Sequence, residues 1–435
     1  MIKSIVFLLA AFTATALSAD EHATDTPADE PKSFIETLMD GKAHVNLRYR
    51  YEHVDDDLVP ANNANASTLR VALGWETGVW NNFNAFAEME HVEEIFTGEF
   101  REGPGPVDLG DAGRYPVVAD PPGTELNRAY VKYQTDRLWI KAGRQYLTNR
   151  KAPFHRFLGN VLWRQNWQSH DAVTLNFKPQ KDINLRYSYS FNVHRIFGDE
   201  PPEPFDEFDC DCHMFNAKYG GLANLKLEAY AYLLDISNSP ANAVDTYGIR
   251  ANGAYPLSEK LKLLYVAEFA AQDEAEHNPA NVNVDYYLGE LGLAAALPFK
   301  LVPKVTLKFD YEVLEGNGTT SFRTPLSTAH AYQGWADRFL TTPADGIEDF
   351  YITAIAPFLG GKFLVSYHMI DSDNASYEYG DELNIQYTRK FMKYYTFGAK
   401  AAFYDADRNP TALARATGLQ NNDVTRIWAW LQFAY

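Results

Sequence analysis

The sequence predicts an all-β protein: a transmembrane antiparallel β-barrel of about 18 strands, with short periplasmic turns and long extracellular loops. Three observations lead there. The last stretch, Val424–Tyr435, alternates with a period of two. Ile427, Ala429, Leu431, Phe433 and Tyr435 fall on one face, and Arg426, Trp428, Trp430 and Gln432 on the other. One wholly apolar face marks a strand between two different solvents. A bare aromatic edge strand invites aggregation in water, whereas a closed barrel has no free edge. Second, no run of about 18 apolar residues follows the N-terminus, so no helix spans a membrane. The chain is nevertheless 46% hydrophobic and holds 27 Tyr and 27 Phe, which suits strands and aromatic girdles. Third, short and long connections alternate between the strand-like segments. A soluble propeller or β-helix needs a regular internal repeat, and none is present.

In chain order, Met1–Ala19 reads as a signal peptide: Lys3 for the basic region, Ile5–Phe12 for the apolar core, and Leu17-Ser18-Ala19 before the cleavage point, with Ala16 as the alternative. Residues 20–40 form a periplasmic segment. Asp20–Pro31 is acidic and Pro-containing, and Ser33–Asp40 is a short helix expected at the barrel mouth. The barrel occupies 41–435. Its strands are expected near 42–54, 66–77, 83–94, 125–135, 136–146, 170–178, 182–196, 212–220, 222–236, 245–256, 259–272, 282–298, 303–316, 346–358, 361–372, 380–390, 394–406 and 424–435. An even strand number places both termini in the periplasm. A length of 435 ordinarily implies several domains, but a barrel absorbs length by adding strands.

The two cysteines lie in Asp209-Cys210-Asp211-Cys212-His213. A loop disulfide is the reading preferred over a metal site, because two thiols and one imidazole are a weak ligand set. Asp55–Asp57 reads as a solvated charge cluster in preference to a calcium site. No metal site and no cofactor is expected, and a net charge of −18 argues against nucleic acid as a partner.

Strand parity separates the two faces. In Ala43–Tyr51, Val45, Leu47, Tyr49 and Tyr51 face lipid, while His44, Asn46, Arg48 and Arg50 face inward. The same rule turns Arg70, Arg128, Lys132, Lys141, Arg186, Lys218, Lys226, Arg250, Lys262, Lys308, Lys400 and Arg426 inward. The inward acids are Glu52, Glu76, Glu88, Glu90, Glu228, Glu268, Glu290, Asp310, Glu312 and Glu382. Bases outnumber acids in this set, so the excess acid belongs to loops and tail. A lumen with positive excess selects anions, unless neighbouring acids and bases pair off to brace the wall.

Two connections are too aromatic to be free loops. Gly143–Asp171 carries Arg144, Arg150, Lys151, Arg156 and Arg164 among Phe154, Phe157, Trp163 and Trp167. Thr324–Asp349 holds His330, Trp335, Asp337 and Arg338. Folded inward, the first narrows the bore with guanidinium groups, which suit carboxylates, and the second is a compact, mostly uncharged run; the alternative for both is a packed plug that stiffens the barrel.

On these stretches the chain resembles the alginate export porins of Gram-negative outer membranes. The matching residues are Gly143-Arg144-Gln145, Arg156-Phe157, Gly159-Asn160-Val161, Trp163-Arg164-Gln165-Asn166 and Asp171. A second block is His330-Ala331-Tyr332-Gln333-Gly334-Trp335-Ala336-Asp337, then Phe339-Leu340 and Gly346-Ile347-Glu348-Asp349. The resemblance implies an eighteen-stranded barrel in the outer membrane, lined by Arg and Lys, that exports anionic uronate polymers. It also implies an inward Arg144, which falls out of phase with Lys141 unless a bulge intervenes.

The substrate path is therefore expected to include Arg48, Arg50, Arg128, Lys132, Lys141, Arg144, Arg156, Arg164, Arg186, Arg250, Lys308 and Arg338. Expected partners are an acidic oligo- or polysaccharide or small anions, outer-membrane lipid and lipopolysaccharide, and the barrel assembly machinery through the C-terminal strand. The main expectation is an anion channel of the alginate-export type working by electrodiffusion. The alternative is a general, weakly selective porin for small solutes. A barrel hydrolase is the third reading, and Ser366 with His368 on one strand is its only suggestive pair. An active transporter with a plug domain has no room for one between Asp20 and Gly41.

Overall fold

The computed structural model describes residues 33–435 except 60, 152–154 and 408–419. The predicted signal peptide and residues 20–32 lie outside the described residues. A short helix α1 (Phe34–Met39) precedes eighteen strands: β1 (Lys42–Asp56), β2 (Ala64–Glu76), β3 (Phe83–Glu99), β4 (Gly123–Gln134), β5 (Leu138–Gln145), β6 (Ser169–Phe177), β7 (Ile183–His194), β8 (Glu207–Leu222), β9 (Leu225–Ile236), β10 (Val244–Pro256), β11 (Leu261–Glu274), β12 (Asn283–Ala296), β13 (Lys304–Leu314), β14 (Ile347–Phe358), β15 (Gly361–Asp371), β16 (Glu378–Phe391), β17 (Tyr395–Ala406) and β18 (Val424–Ala434).

Each strand pairs antiparallel with its sequence neighbour, and β1 also pairs with β18, from Asn46↔Ala434 to Asp56↔Val424. The terminal strand thus has no open edge. Short turns occupy one end of the barrel. The β8–β9 turn has Asn224 in the left-handed region, the β14–β15 turn Leu359 and Gly360, and the β2–β3 turn Asn81 and Asn82 at positive φ, as a two-residue hairpin with right-handed strand twist requires. The long connections occupy the other end, and those at 100–122, 146–168 and 315–346 fold into the bore.

The outer face exposes Val131, Leu175, Phe215, Ile249, Leu291, Phe309, Phe350, Phe397 and Leu431. On the inner face Arg48, Arg50, Glu52, Arg426 and Trp428 are buried under the inward loops. This is the alternation of a barrel with lipid outside.

Two boundaries differ from expectation for one reason. β8 begins at Glu207, so Cys210 and Cys212 sit within the strand. They form a disulfide on its inner face, and both are buried. Asp209, Cys210, Asp211 and Cys212 alternate outward and inward. The acidic run that suggested a loop is therefore itself a period-two strand pattern. β3 likewise continues to Glu99, past Glu93 and Glu94. Asp56 is not solvated either, being buried against Arg338.

Candidate translocation path

The upper half of the bore is a polar plug. Loop 146–168 crosses it and meets loop 315–346 through Arg164. Its Nη1 donates to Glu52 Oε2 at 3.2 Å, and its Nη2 to Asp337 Oδ2 at 2.8 Å. Arg426 on β18 closes the same group, 3.1 Å from Glu52 and 3.6 Å from Asp337. Arg156 lies 2.8 Å from Glu312 on β13, whose other contacts include the Tyr286 hydroxyl at 2.6 Å. Arg338 reaches back to β1 and makes two bonds with Asp56, at 2.7 and 3.1 Å. A carboxylate held in this way by a guanidinium fork is well suited to burial.

Backbone groups of the loops are satisfied by wall side chains. Arg48 donates to the Leu162 carbonyl and to Gln165 Oε1, both at 2.8 Å, and to the Arg164 carbonyl. Glu382 accepts from the Trp335 and Ala336 amides. Gly334 at φ +82° has a reason: a Cβ there would lie 2.2 Å from Glu382 Oε2. Loop 100–122 joins the plug where Asp120 accepts from the Gln165 amide at 2.7 Å and pairs with Arg50.

Lys400 on β17 is held differently. Its ammonium lies 3.8 Å from the ring centroid of Trp335 and 4.1 Å from that of Trp163. It also contacts His330 Nε2 at 2.6 Å, while His330 Nδ1 contacts Asp337 at 2.6 Å. A proton on Nδ1 lets Nε2 accept from Lys400, so one neutral imidazole connects ammonium to carboxylate.

Nearer the periplasmic end the chemistry changes. Lys132, Lys141 and Arg186 surround one indole, with 5.8, 5.7 and 5.3 Å to the Trp139 centroid. Lys132 and Lys141 are direct cross-strand partners. Among the described residues none of the three has a carboxylate partner. Lys132 donates to Gln134, and Arg186 donates to the Thr148 carbonyl at 2.7 Å. A separate cavity of about 630 Å³ runs along the wall of β8–β14. Six bases line it, Arg150, Lys151, Lys218, Lys226, Arg250 and Lys308, against two acids, Glu228 and Glu290. Lys226 and Lys151 make no ion pair among the described residues. Facing them are amides and hydroxyls: Gln432 donates to Asn46 at 3.2 Å, and Gln386 to Thr388 at 3.0 Å. Arg150, Lys218, Arg250 and Lys308 are paired with Glu228, Glu268 and Glu290, so the excess positive charge of this wall rests on Lys151 and Lys226.

The twelve expected path residues therefore divide. Arg48, Arg50, Arg156, Arg164 and Arg338 fasten the plug. Arg128, Arg250 and Lys308 pair with wall acids Glu88, Glu268 and Glu290. Lys132, Lys141 and Arg186 stay free of acids. Arg144 is a correction: it pairs with Ala129 and Asp171 across the wall without a register shift in β5, so it lies on the outer face. There it bonds Asp171 at 2.9 and 3.0 Å, and His194 contacts the same carboxylate at 2.8 Å. Sequence reading missed the inward loop 100–122 and the role of Trp139, although its position two residues before Lys141 places it on the same face.

The Ser366–His368 pair gains a third member. Ser366 Oγ is 3.2 Å from one imidazole nitrogen of His368, and Asp349 is 2.9 Å from the other. All three are buried in the wall, with Asp349 fully so. Among the described residues the three form a buried hydrogen-bond chain across β14 and β15.

Solved structures share this architecture. The chain has the fold of outer-membrane channels. Acinetobacter baumannii OccAB2 aligns at TM-score 0.68 and 14% identity, over 92% of this chain and 99% of that one. Acinetobacter baumannii OccAB4 aligns at 0.67 and 10%, over 91% and 98%. Pseudomonas aeruginosa OpdK, solved with vanillate, aligns at 0.67 and 11%, over 92% and 99%. No family model and no curated protein matches the sequence. The resemblance to alginate export porins is therefore overturned. The structures that the chain matches are Occ and Opd channels. The residues that carried the resemblance fasten inward loops to the wall, as Arg164, His330 and Asp337 do. The likeness shows the fold, that of outer-membrane barrels.

Proposed function

We propose that the protein is a passive porin for small solutes that favours small anions, carboxylates in particular. The observation that carries this reading is the group of cations around Trp139, Lys132, Lys141 and Arg186, which have no carboxylate partner among the described residues. Permeants move by electrodiffusion, stepping between Lys132, Lys141, Arg186, Lys218 and Lys226. Each contact is weak and exchangeable, so the solute leaves as readily as it enters. The plug limits the permeant to small molecules. The vanillate found with OpdK is a small carboxylate and supports that class. A weakly selective general porin is the second reading, and Glu228 and Glu290 on the same wall favour it.

In this reading Met1–Ala19 is the export signal. The β18 end with Tyr435 is what the barrel assembly machinery takes up, and lipopolysaccharide surrounds the outer end of the barrel. Proteoliposome swelling tests the function. Small carboxylates are expected to enter faster than uncharged polyols of equal size, and cationic amines slower. Equal rates for all three establish the general porin instead.

A further inference from the structure

We propose that α1 and the β2–β3 turn form a foot that lies in the periplasmic leaflet of the outer membrane, with phospholipid as its partner. The inference rests on the outer-membrane placement of the barrel and not on what the bore conducts.

The sequence Ser33–Asp40 builds a compact, capped helix. The Glu36 amide donates to Ser33 Oγ at 3.3 Å, and the Ser33 amide donates back to Glu36 Oε2 at 2.8 Å. This reciprocal cap lets so short a helix persist when it is also docked. Docking is to the β2–β3 end. The Gly78 amide donates to the Thr37 carbonyl at 3.0 Å, and Trp75 Nε1 donates to the Leu38 carbonyl at 3.2 Å. A Cβ at Gly78 would lie 2.7 Å from the Thr37 carbonyl, so the approach is close. Trp75 alternates with the inward Ala72, Gly74 and Glu76, and therefore points to the outer side of the wall. The helix is thus fastened to the β2–β3 end of the wall, beside the outward-pointing Trp75.

What the helix then presents is apolar. Ile35 is 71% exposed, Met39 74% and Phe34 53%, and beside them Val79 is 69%, Trp80 42% and Phe83 46% exposed. The patch is contiguous. Phe34 meets Trp80 edge to face at 5.3 Å, Trp80 bridges to Phe83, and Phe83 packs on Tyr133 at 4.9 Å. Through Phe83 and Val131 it continues into the lipid-facing belt, so the solvent that covers the belt also reaches the foot. Glu36 and Asp40 occupy the opposite sector of the helix and remain available to water. An amphipathic helix with aromatic neighbours at a bilayer edge fits the headgroup and upper acyl zone. The helix carries no Lys or Arg, so apolar burial rather than charge holds it there.

Electron paramagnetic resonance on single-cysteine variants of the full mature chain tests this. Cys210 and Cys212 are joined and do not take up label. Spin labels at Ile35→Cys, Met39→Cys and Val79→Cys are read in vesicles of phosphatidylethanolamine and phosphatidylglycerol, with Asp136→Cys in the β4–β5 turn as the aqueous reference. The ratio of oxygen to nickel-chelate accessibility is expected to be several-fold higher at the three foot positions than at Asp136. A ratio equal to that at Asp136 overturns the proposal, as does exclusion of both probes, which would mean a protein partner. In a chain with Ile35→Asp and Met39→Asp, the Val79 label is expected to shift to the aqueous ratio while the barrel still migrates as a folded band. A Val79 label that does not move also overturns it.

Discussion

Replacing Lys132, Lys141 and Arg186 together by glutamine removes the cations that share Trp139. An anion crossing over that indole passes about 7 Å from each charge, where one unit charge in water contributes about 0.6 kcal/mol. At 0.1 M salt the screening length is about 10 Å, which leaves roughly 0.3 kcal/mol per cation and roughly 0.9 kcal/mol for three. The same field acts on cations with the opposite sign, so anion permeability falls about 4.5-fold, cation permeability rises by as much, and their ratio falls about 20-fold. At 1 M salt, screening over about 3 Å reduces the three charges to roughly 0.2 kcal/mol, a change of about twofold in that ratio. The assay is the reversal potential in planar bilayers at both salt levels, on protein whose folded band on unheated gels matches the unaltered chain. Unchanged selectivity at 0.1 M would refute the reasoning. So would a loss of the same size at 1 M, because the effect would then not be electrostatic.

Further predictions concern the plug and the wall. Arg338→Met leaves the buried Asp56 carboxylate without its fork and is expected to cost about 3–5 kcal/mol, read as a lower temperature for loss of the folded band; adding Asp56→Asn should recover part of it. In loop 100–122, burial and then Asp108, Glu94, Glu200 and Asp111 push the Glu102 carboxyl from its ordinary 4.5 up to about 7. A raised value favours the protonated form in the fold. This contribution is therefore complete below about pH 4.5 and is lost as pH rises through about 7. Hydrogen exchange of 100–122, corrected for intrinsic rates, should show less protection at pH 8 than at pH 5, and Glu102→Gln should abolish the difference. Cys210→Ala with Cys212→Ala opens a ring of only two-residue separation. Chain entropy sets the loss at about 1.5 kcal/mol, so the denaturant midpoint should move slightly. A collapse of folding would contradict that account.

The wall was readable because its physics is local. Residues such as Arg48, Tyr49, Arg50 and Tyr51 alternate between lipid and lumen, and the strands follow that rule except at bulges such as Ala66/Thr68 and Ser190/Asn192. Arg144 shows its strength: parity placed it outward, the family resemblance placed it inward, and the structure follows parity. The Asp209–Cys212 run shows the converse, since acidity hid a strand that the period of two displayed. The plug was legible only as composition. Trp163, Trp335 and the arginines announced packed loops, but nothing local tells Arg164 to find Glu52 and Asp337, which lie 112 and 173 positions away. The same holds for charge. The inward bases outnumber acids in the sequence, yet which of them pair depends on contacts between distant strands and loops. Pairing takes up most of them in the upper bore and leaves the periplasmic end positive.

The central claim is that this residual positive arc, and not the paired charges above it, faces the permeant. The reversal potential of the unaltered channel across a potassium chloride gradient at low ionic strength tests it most directly. The account predicts a potential displaced toward the chloride equilibrium value. A potential displaced toward that of potassium would contradict it.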